Sequence, residues 1–231
     1  MTSTPRERAR TRTLQEITRI GREQLAIHGA AALSLRAVAR EVGFGSSAVY
    51  RYVKNRDELL TLLVVDAYNE LGKSVETSVD EVKADDYRAQ FHAVGHAVRD
   101  WALCEPARYA LLFGSPVPGY GAPADQTTSP GTRVITVLVG IYDRAFAAGA
   151  MNPSNGPQLT PSLAADFERI RADMRISATD LVISRGVFAW ASMFGAINFE
   201  IFGQYGIDTF TESVDLFDHN LQILDRVLGF L

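Results

Sequence analysis

Between Leu33 and Leu60 the chain reads LSLRAVAREVGFGSSAVYRYVKNRDELL. The residue types in this stretch suit recognition of a polyanion with readable edges. Arg36 carries a planar fork of donors that matches guanine in a major groove, and Lys54 is a point charge for phosphate. Ser46 and Ser47 are short enough to let backbone approach a phosphate, and Tyr50 falls on the same exposed side. Leu35, Val38 and Val42 recur at helical spacing and Gly43 follows them, so two short helices meet across a glycine-containing turn, a helix-turn-helix pattern. Ser34 precedes the first of these helices as an N-cap and is a further candidate for DNA contact.

Charge supports this reading. The 231-residue chain has a formal net charge of −4 that conceals a division. Through Arg56 there are 11 Lys and Arg against 4 Asp and Glu, whereas the remainder carries a balance of −11. A basic segment on an acidic protein confines phosphate binding to one end. With 47% hydrophobic and 22% charged residues the composition is that of a globular protein, which excludes disorder, collagen and disulfide scaffolds. The single Cys104 forms no internal disulfide and MTSTPRERARTRTLQ holds no apolar leader, so a reducing cytoplasm is expected. The charge-free run Gly186 to Phe199 falls short of the roughly 18 to 20 residues of a membrane span; a buried helix and no membrane partner are expected.

The elements that position these residues carry helical signals throughout. Leu14, Ile17, Gly21, Leu25 and His28 define a first amphipathic helix with Arg6, Arg10, Arg19 and Arg22 on or near its polar face, ending near His28-Gly29. Ser34 to Gly43 and Ala48 to Val53 give two short helices, and Asn55 with Glu58 caps a long fourth that runs to about Val82. Further helices are expected from about Asp86 to Leu103, Pro106 to Phe113, Thr132 to Ala148 and onward from Thr160-Pro161. The last two start near Ser177, with Asp180 reciprocal, and at Thr209, with Glu212 reciprocal. Gly114 to Gly131, with four prolines, predicts an irregular loop, and Met151 to Leu159 a break. No strand alternation competes, so the expected fold is all-α.

Over about Thr13 to Leu63, the basic first helix followed by LRAVAREVG and SSAVYRYVKNRDELL resembles the DNA-binding domain of the TetR family of bacterial transcription regulators. The resemblance implies an N-terminal three-helix helix-turn-helix domain over residues 1–58 and a C-terminal helical ligand-binding and dimerisation domain over 59–231. It implies DNA contacts from Ser46, Ser47, Ala48, Tyr50 and Tyr52 on the recognition helix, a phosphate grip from Lys54, and a base or backbone contact from Arg36. Ser46 stands where Lys is frequent and Ala48 where Thr is frequent, so base preference does not carry over. EPARYALLFGSPVPGY and AWASMFGAINFE also resemble the subgroup whose C-terminal part is the WHG domain; Trp190 and Gly195 fit, and Phe194 stands in place of His.

Trp101, Tyr109, Phe113, Trp190 and Phe194 are candidates to line an apolar effector pocket, and the acidic balance favours an uncharged or cationic ligand; the same spacing also suits plain core. Val214, Phe217, Leu221, Leu224, Leu228 and Leu231 recur at three- and four-residue spacing, a seam expected to face a second subunit, the alternative being the chain's own core. Small residues of the preceding helix, Ala189, Ala191, Ser192, Gly195 and Ala196, allow close helix approach. His92 and His96 share a helix face as a possible metal pair, but spacing fixes no third ligand. Cys104 has no recognisable His or Asn partner and no glycine-rich phosphate loop is present. No catalytic residue, metal or cofactor is therefore expected, and the chain reads as no enzyme. The expected function is that of a homodimeric repressor released from a palindromic double-stranded operator by a small, largely apolar molecule. The alternatives are a regulator without such an inducer, and a helical small-molecule-binding protein or enzyme lacking DNA binding.

Overall fold

A computed structural model describes residues 4–43, 49–152 and 156–230. Among them the chain is all-α: α1 (Pro5–Ala32), α2 (Leu35–Glu41), a 3-10 turn (Val49–Arg51), α3 (Arg56–Asp80), α4 (Tyr87–Cys104), α5 (Pro106–Phe113), α6 (Ala124–Gly131), α7 (Arg133–Ala147), α8 (Pro161–Met174), α9 (Asp180–Ile201) and α10 (Ser213–Leu228). The helices fall into two compact units, Met1–Glu70 with Cys104–Gly131, and Leu71–Leu103 with Thr132–Leu231. This division differs from the linear one expected at residue 58. α3 contributes to both units, and α5 and α6 join α1 and α2 in the first.

Unit 1 is built on Ile17 and Ile20 of α1, Leu35 and Val38 of α2, Val49 and Val53 around the 3-10 turn, and Leu59, Leu60 and Leu63 of α3. Each such side chain contributes about 1.5–3 kcal/mol when fully buried. The turn at Gly43 has φ +73°. At Gly29 the backbone takes φ 71°, which a side chain would resist, so α1 kinks where an end was expected and its last residues continue to Ala32. Thr4 and Glu7 cap its start reciprocally, the Thr4 N–H donating to Glu7 Oε2 at 2.7 Å. In the expected loop from Gly114 to Gly131 the structure forms α6. Pro123 opens it, its carbonyl accepting the Gln126 and Thr127 N–H groups, and Pro130 lies in its final turn. A proline just before a helix suits its start, and Pro130 is accommodated in the last turn, so the prolines do not exclude a helix here.

Unit 2 has a core of Phe91, Val94 and Val98 from α4, Leu138, Ile141 and Tyr142 from α7, Met193 and Ile197 from α9, and Phe217, Leu221 and Leu228 from α10. The starts of its last two helices differ from expectation for visible reasons. The Ser177 N–H and hydroxyl and the Ala178 N–H all donate to Asp143 Oδ1, at 2.6, 2.9 and 3.0 Å, so the cap of α9 moves to Thr179. The Thr209 hydroxyl donates to the Tyr205 carbonyl at 2.6 Å, and α10 begins after Glu212 instead.

Two expectations for α9 and α10 are corrected. α9 spans 22 residues and is long and apolar enough to cross a membrane, yet only 33% of its most apolar stretch is buried, so it is not the buried helix expected. Its core side is fixed to unit 2, with Glu200 held bidentately by Arg99 at 2.6 and 2.8 Å and Arg185 donating to the Val227 carbonyl. Val187, Phe188 and Phe199 remain exposed. The seam on α10 turns inward. Phe217, Leu221, Leu224 and Leu228 are buried within their own chain, Phe217 under the Arg99 guanidinium at 5.6 Å and edge-on to His96, while Val214 is exposed. Three- and four-residue spacing marks a buried face without telling whose core it joins.

Candidate nucleic-acid interface and effector cavity

Basic side chains cluster at the exposed start of α1. Arg6, Arg8, Arg10 and Arg12 all face solvent. Arg10 lies 5.5 Å over the ring of Tyr52, and with Arg6, Arg51 and Thr4 these two line a cleft of about 510 Å³. Arg19 and Arg22 do other work than expected. Arg19 bridges Glu16 and Glu23, and Arg22 pairs bidentately with Asp66 at 2.7 Å. That hydrogen bond holds the Arg22 guanidinium above its ordinary value.

The helix-turn-helix candidates divide by position. The Ser34 hydroxyl accepts the Ala37 N–H at 3.3 Å as the cap of α2, and its side chain is exposed. Arg36, one turn-position later, is exposed and makes no ion pair among the described residues. Ser46, Ser47 and Ala48 lie outside the described residues. Beyond them a 3-10 turn stands at the end of the stretch where a helix to Val53 was expected. It exposes Tyr50 and Arg51, buries Val49, and leaves Tyr52 half-buried against the core. Lys54 projects into solvent with Glu58 at 3.7 Å, and Asn55 caps α3 by accepting the Glu58 N–H at 2.8 Å. Arg36, Tyr50 and Lys54 thus have exposed side chains on a frame whose buried residues are apolar.

Two further arginines, Arg56 and Arg108, hold that frame together. Arg56 donates to the carbonyls of Ala30, Ala31 and Leu33 at 2.9, 3.1 and 3.3 Å, satisfying the end of α1. Arg108 of α5, 2% exposed, pairs with Glu70 at 2.7 Å and Asp66 at 3.1 Å, so that α1, α3 and α5 share one charge network with Arg22. Asp66 and Glu70 thus engage its guanidinium.

Of the five aromatic pocket candidates, Tyr109 and Phe113 belong to unit 1, where Phe113 packs on Tyr109 and edge-on to Tyr68. Trp101, Trp190 and Phe194 belong to unit 2, with Trp101 buried and Phe194 edge-on to Trp190 at 6.1 Å. Within unit 2, Trp190 lines a cavity of about 180 Å³ between α7, α8 and α9. Its other walls are Ile135, Val139, Tyr142, Ile170, Met174 and further aliphatic side chains, with no charged residue among them. The sequence reading missed Tyr142. Its signal was a single phenol in the aliphatic run VITVLVGIY; burial drives its pKa up, so the hydroxyl stays neutral. His92 and His96 do not converge, since each meets its own carboxylate, Asp225 at 2.8 Å and Asp218 at 3.0 Å. Cys104 is exposed at the end of α4.

Comparisons with known proteins agree over most of the chain. Residues 17–63 match the domain described as bacterial regulatory proteins, tetR family, and residues 91–224 match the tetracyclin repressor-like C-terminal domain. HTH-type transcriptional regulators of Mycobacterium tuberculosis (Rv1816) and Mycobacterium bovis (Mb1846) are each 44% identical over 224 residues, 97% of this chain and 95% of theirs. The solved structure of a regulatory protein, SCO4313, superposes with a TM-score of 0.77 at 36% identity, covering 96% of this chain and 98% of that one. A Rhodococcus protein of unknown function shares the fold at a TM-score of 0.70 and 22% identity over 94% of this chain and 95% of that one. The helix-turn-helix frame, the all-α architecture and these matches together place the chain in the TetR family of transcriptional regulators.

Proposed function

We propose that this regulator is a homodimeric repressor that works in the cytoplasm, grips a palindromic operator with its N-terminal unit, and lets go when a small uncharged molecule enters the cavity of unit 2. The carrying observation is the exposure of Arg36, Tyr50 and Lys54 around a buried apolar frame, flanked by Arg6, Arg8, Arg10 and Arg12. Arg36 and Tyr50 read base edges or backbone; Lys54 and the N-terminal arginines meet phosphates. Ser34, Tyr52 and the segment with Ser46, Ser47 and Ala48 complete the contact surface.

A second copy is supported by the outer face of α9 and α10. Phe188, Ser192, Gly195, Ala196, Phe199 and Ile223 border an apolar groove of about 360 Å³, and a two-fold contact buries such a face against itself. Release follows from linkage: a ligand that prefers the arrangement unable to bind DNA weakens operator affinity by its preference between the two arrangements. The role is regulatory, with no catalytic step. Operator binding measured by fluorescence anisotropy, with and without a small neutral compound that occupies the cavity, tests this. Loss of affinity on occupancy is expected; a compound that fills the cavity and leaves operator affinity unchanged would overturn the release mechanism.

A further inference from the structure

The side chains lining the unit 2 cavity carry one hydroxyl, that of Tyr142, and one N–H, the indole of Trp190. Tyr142 is 4% exposed, and its hydroxyl has no hydrogen-bond partner among the described residues. The ring is fixed in place. It packs against Phe91 on α4 at 6.2 Å, and on its other side α9 presents Gly186, where a Cβ would stand 2.9 Å from Tyr142 Cδ2 and Cε2. Only a glycine lets α9 come this close, so the phenol cannot easily turn away. Around it the wall is Ile135, Val139, Val182 and Ile183, without a charge or a second hydroxyl. Val187 and Trp190 are the wall residues most exposed to solvent, at 46% and 36%.

We infer that the molecule this cavity recognises is a neutral, mostly hydrocarbon compound of about one ring that carries a single hydroxyl or carbonyl, and that this group pairs with the Tyr142 hydroxyl. The inference rests on the effector reading above and adds the chemical class. Size follows from volume, since an apolar cavity of about 150 Å³ accepts benzene. Neutrality follows from the wall: an ion there would lose its hydration with no opposite charge to meet, which removes the cationic ligand that the overall acidity had left open. The single polar atom follows from the hydroxyl, which can donate or accept and is otherwise buried unmatched.

Phenol and toluene form the test, because they share a ring and differ by a hydroxyl against a methyl. Calorimetry on the intact chain is expected to show phenol binding at least as tightly as toluene, although toluene is the more hydrophobic of the two. Tyr142→Phe is expected to weaken phenol about tenfold and leave toluene within about twofold. Toluene binding by the variant also reports that the cavity survives the substitution. On the wild-type chain, the ring-carbon resonance of labelled Tyr142 is expected to move with phenol more than with toluene, a reading that needs no variant. Phenol affinity indifferent to Tyr142→Phe, toluene binding without phenol binding, or no binding of either would overturn the inference. Because calorimetry reads occupancy without DNA, selective phenol binding that leaves operator affinity untouched would support this inference while overturning the release mechanism.

Discussion

Arginines in the N-terminal unit do three kinds of work that their positions in the sequence do not distinguish. Arg36 is exposed and makes no ion pair among the described residues, Arg10 covers the Tyr52 ring, and Arg56 caps three carbonyls at the end of α1. Arg36 and Arg56 therefore predict different phenotypes. Arg36→Ala is expected to weaken operator binding by about 1–3 kcal/mol and to relax base preference, whereas Lys54→Ala should weaken all sequences alike and lower the salt slope by about 1. Anisotropy titrations at several salt concentrations on matched and mismatched duplexes separate the two, and unchanged affinity in both would remove these residues from the interface. Arg56→Ala leaves buried acceptors at the end of α1 unmatched and should destabilise unit 1 by about 1–3 kcal/mol. Thermal unfolding reads that directly; a variant as stable as wild type would mean that water replaces the guanidinium without loss.

At the scale of helices, α10 buries in its own chain the face that its seam marked, and α9 exposes apolar residues that its sequence placed in a core. The seam from Phe217 to Leu228 could be read as a buried face, but periodicity does not say whether the neighbour is α4 of the same chain or a second subunit. Residue type also hid the exposure of α9, since Phe188 and Phe199 look like core in any sequence. Leu221→Glu is therefore expected to unfold the chain, costing at least about 3 kcal/mol, because the carboxylate has no water or partner at its site. Phe188→Glu should leave the fold intact and yield monomers. Sedimentation with circular dichroism distinguishes the two, and a Phe188→Glu chain that stays dimeric would place the interface elsewhere. A further test concerns α3 and α7, where Arg133 holds Glu76 at 2.8 and 2.5 Å. Those hydrogen bonds keep the Glu76 carboxyl below its ordinary 4.5, so the stabilisation is complete above that value and fades as pH falls through the lowered folded one. The stability gap between wild type and Glu76→Gln in urea should thus shrink from about pH 7 to about pH 3; a gap independent of pH would deny the pair a role.

For the whole molecule, what the sequence made legible was local: the cap at Asn55, the proline start of α5, the cap at Thr160 and the basic end all follow from neighbouring residues. What it hid depends on distant ones. Asp143 displaces the cap at Ser177, Asp66 takes Arg22 out of the basic face, and Gly186 opens the approach of α9 that frames Tyr142. The central claim, that the N-terminal unit of a two-fold dimer reads an operator, is tested most directly by selecting bound duplexes from a random pool at physiological salt. The account predicts enrichment of an inverted repeat whose half-sites are a helical turn or more apart, about 10 base pairs centre to centre or a multiple of it, and loss of that enrichment with Arg36→Ala. A pool that emerges without any enriched sequence, or with a lone half-site and no repeat, would contradict it.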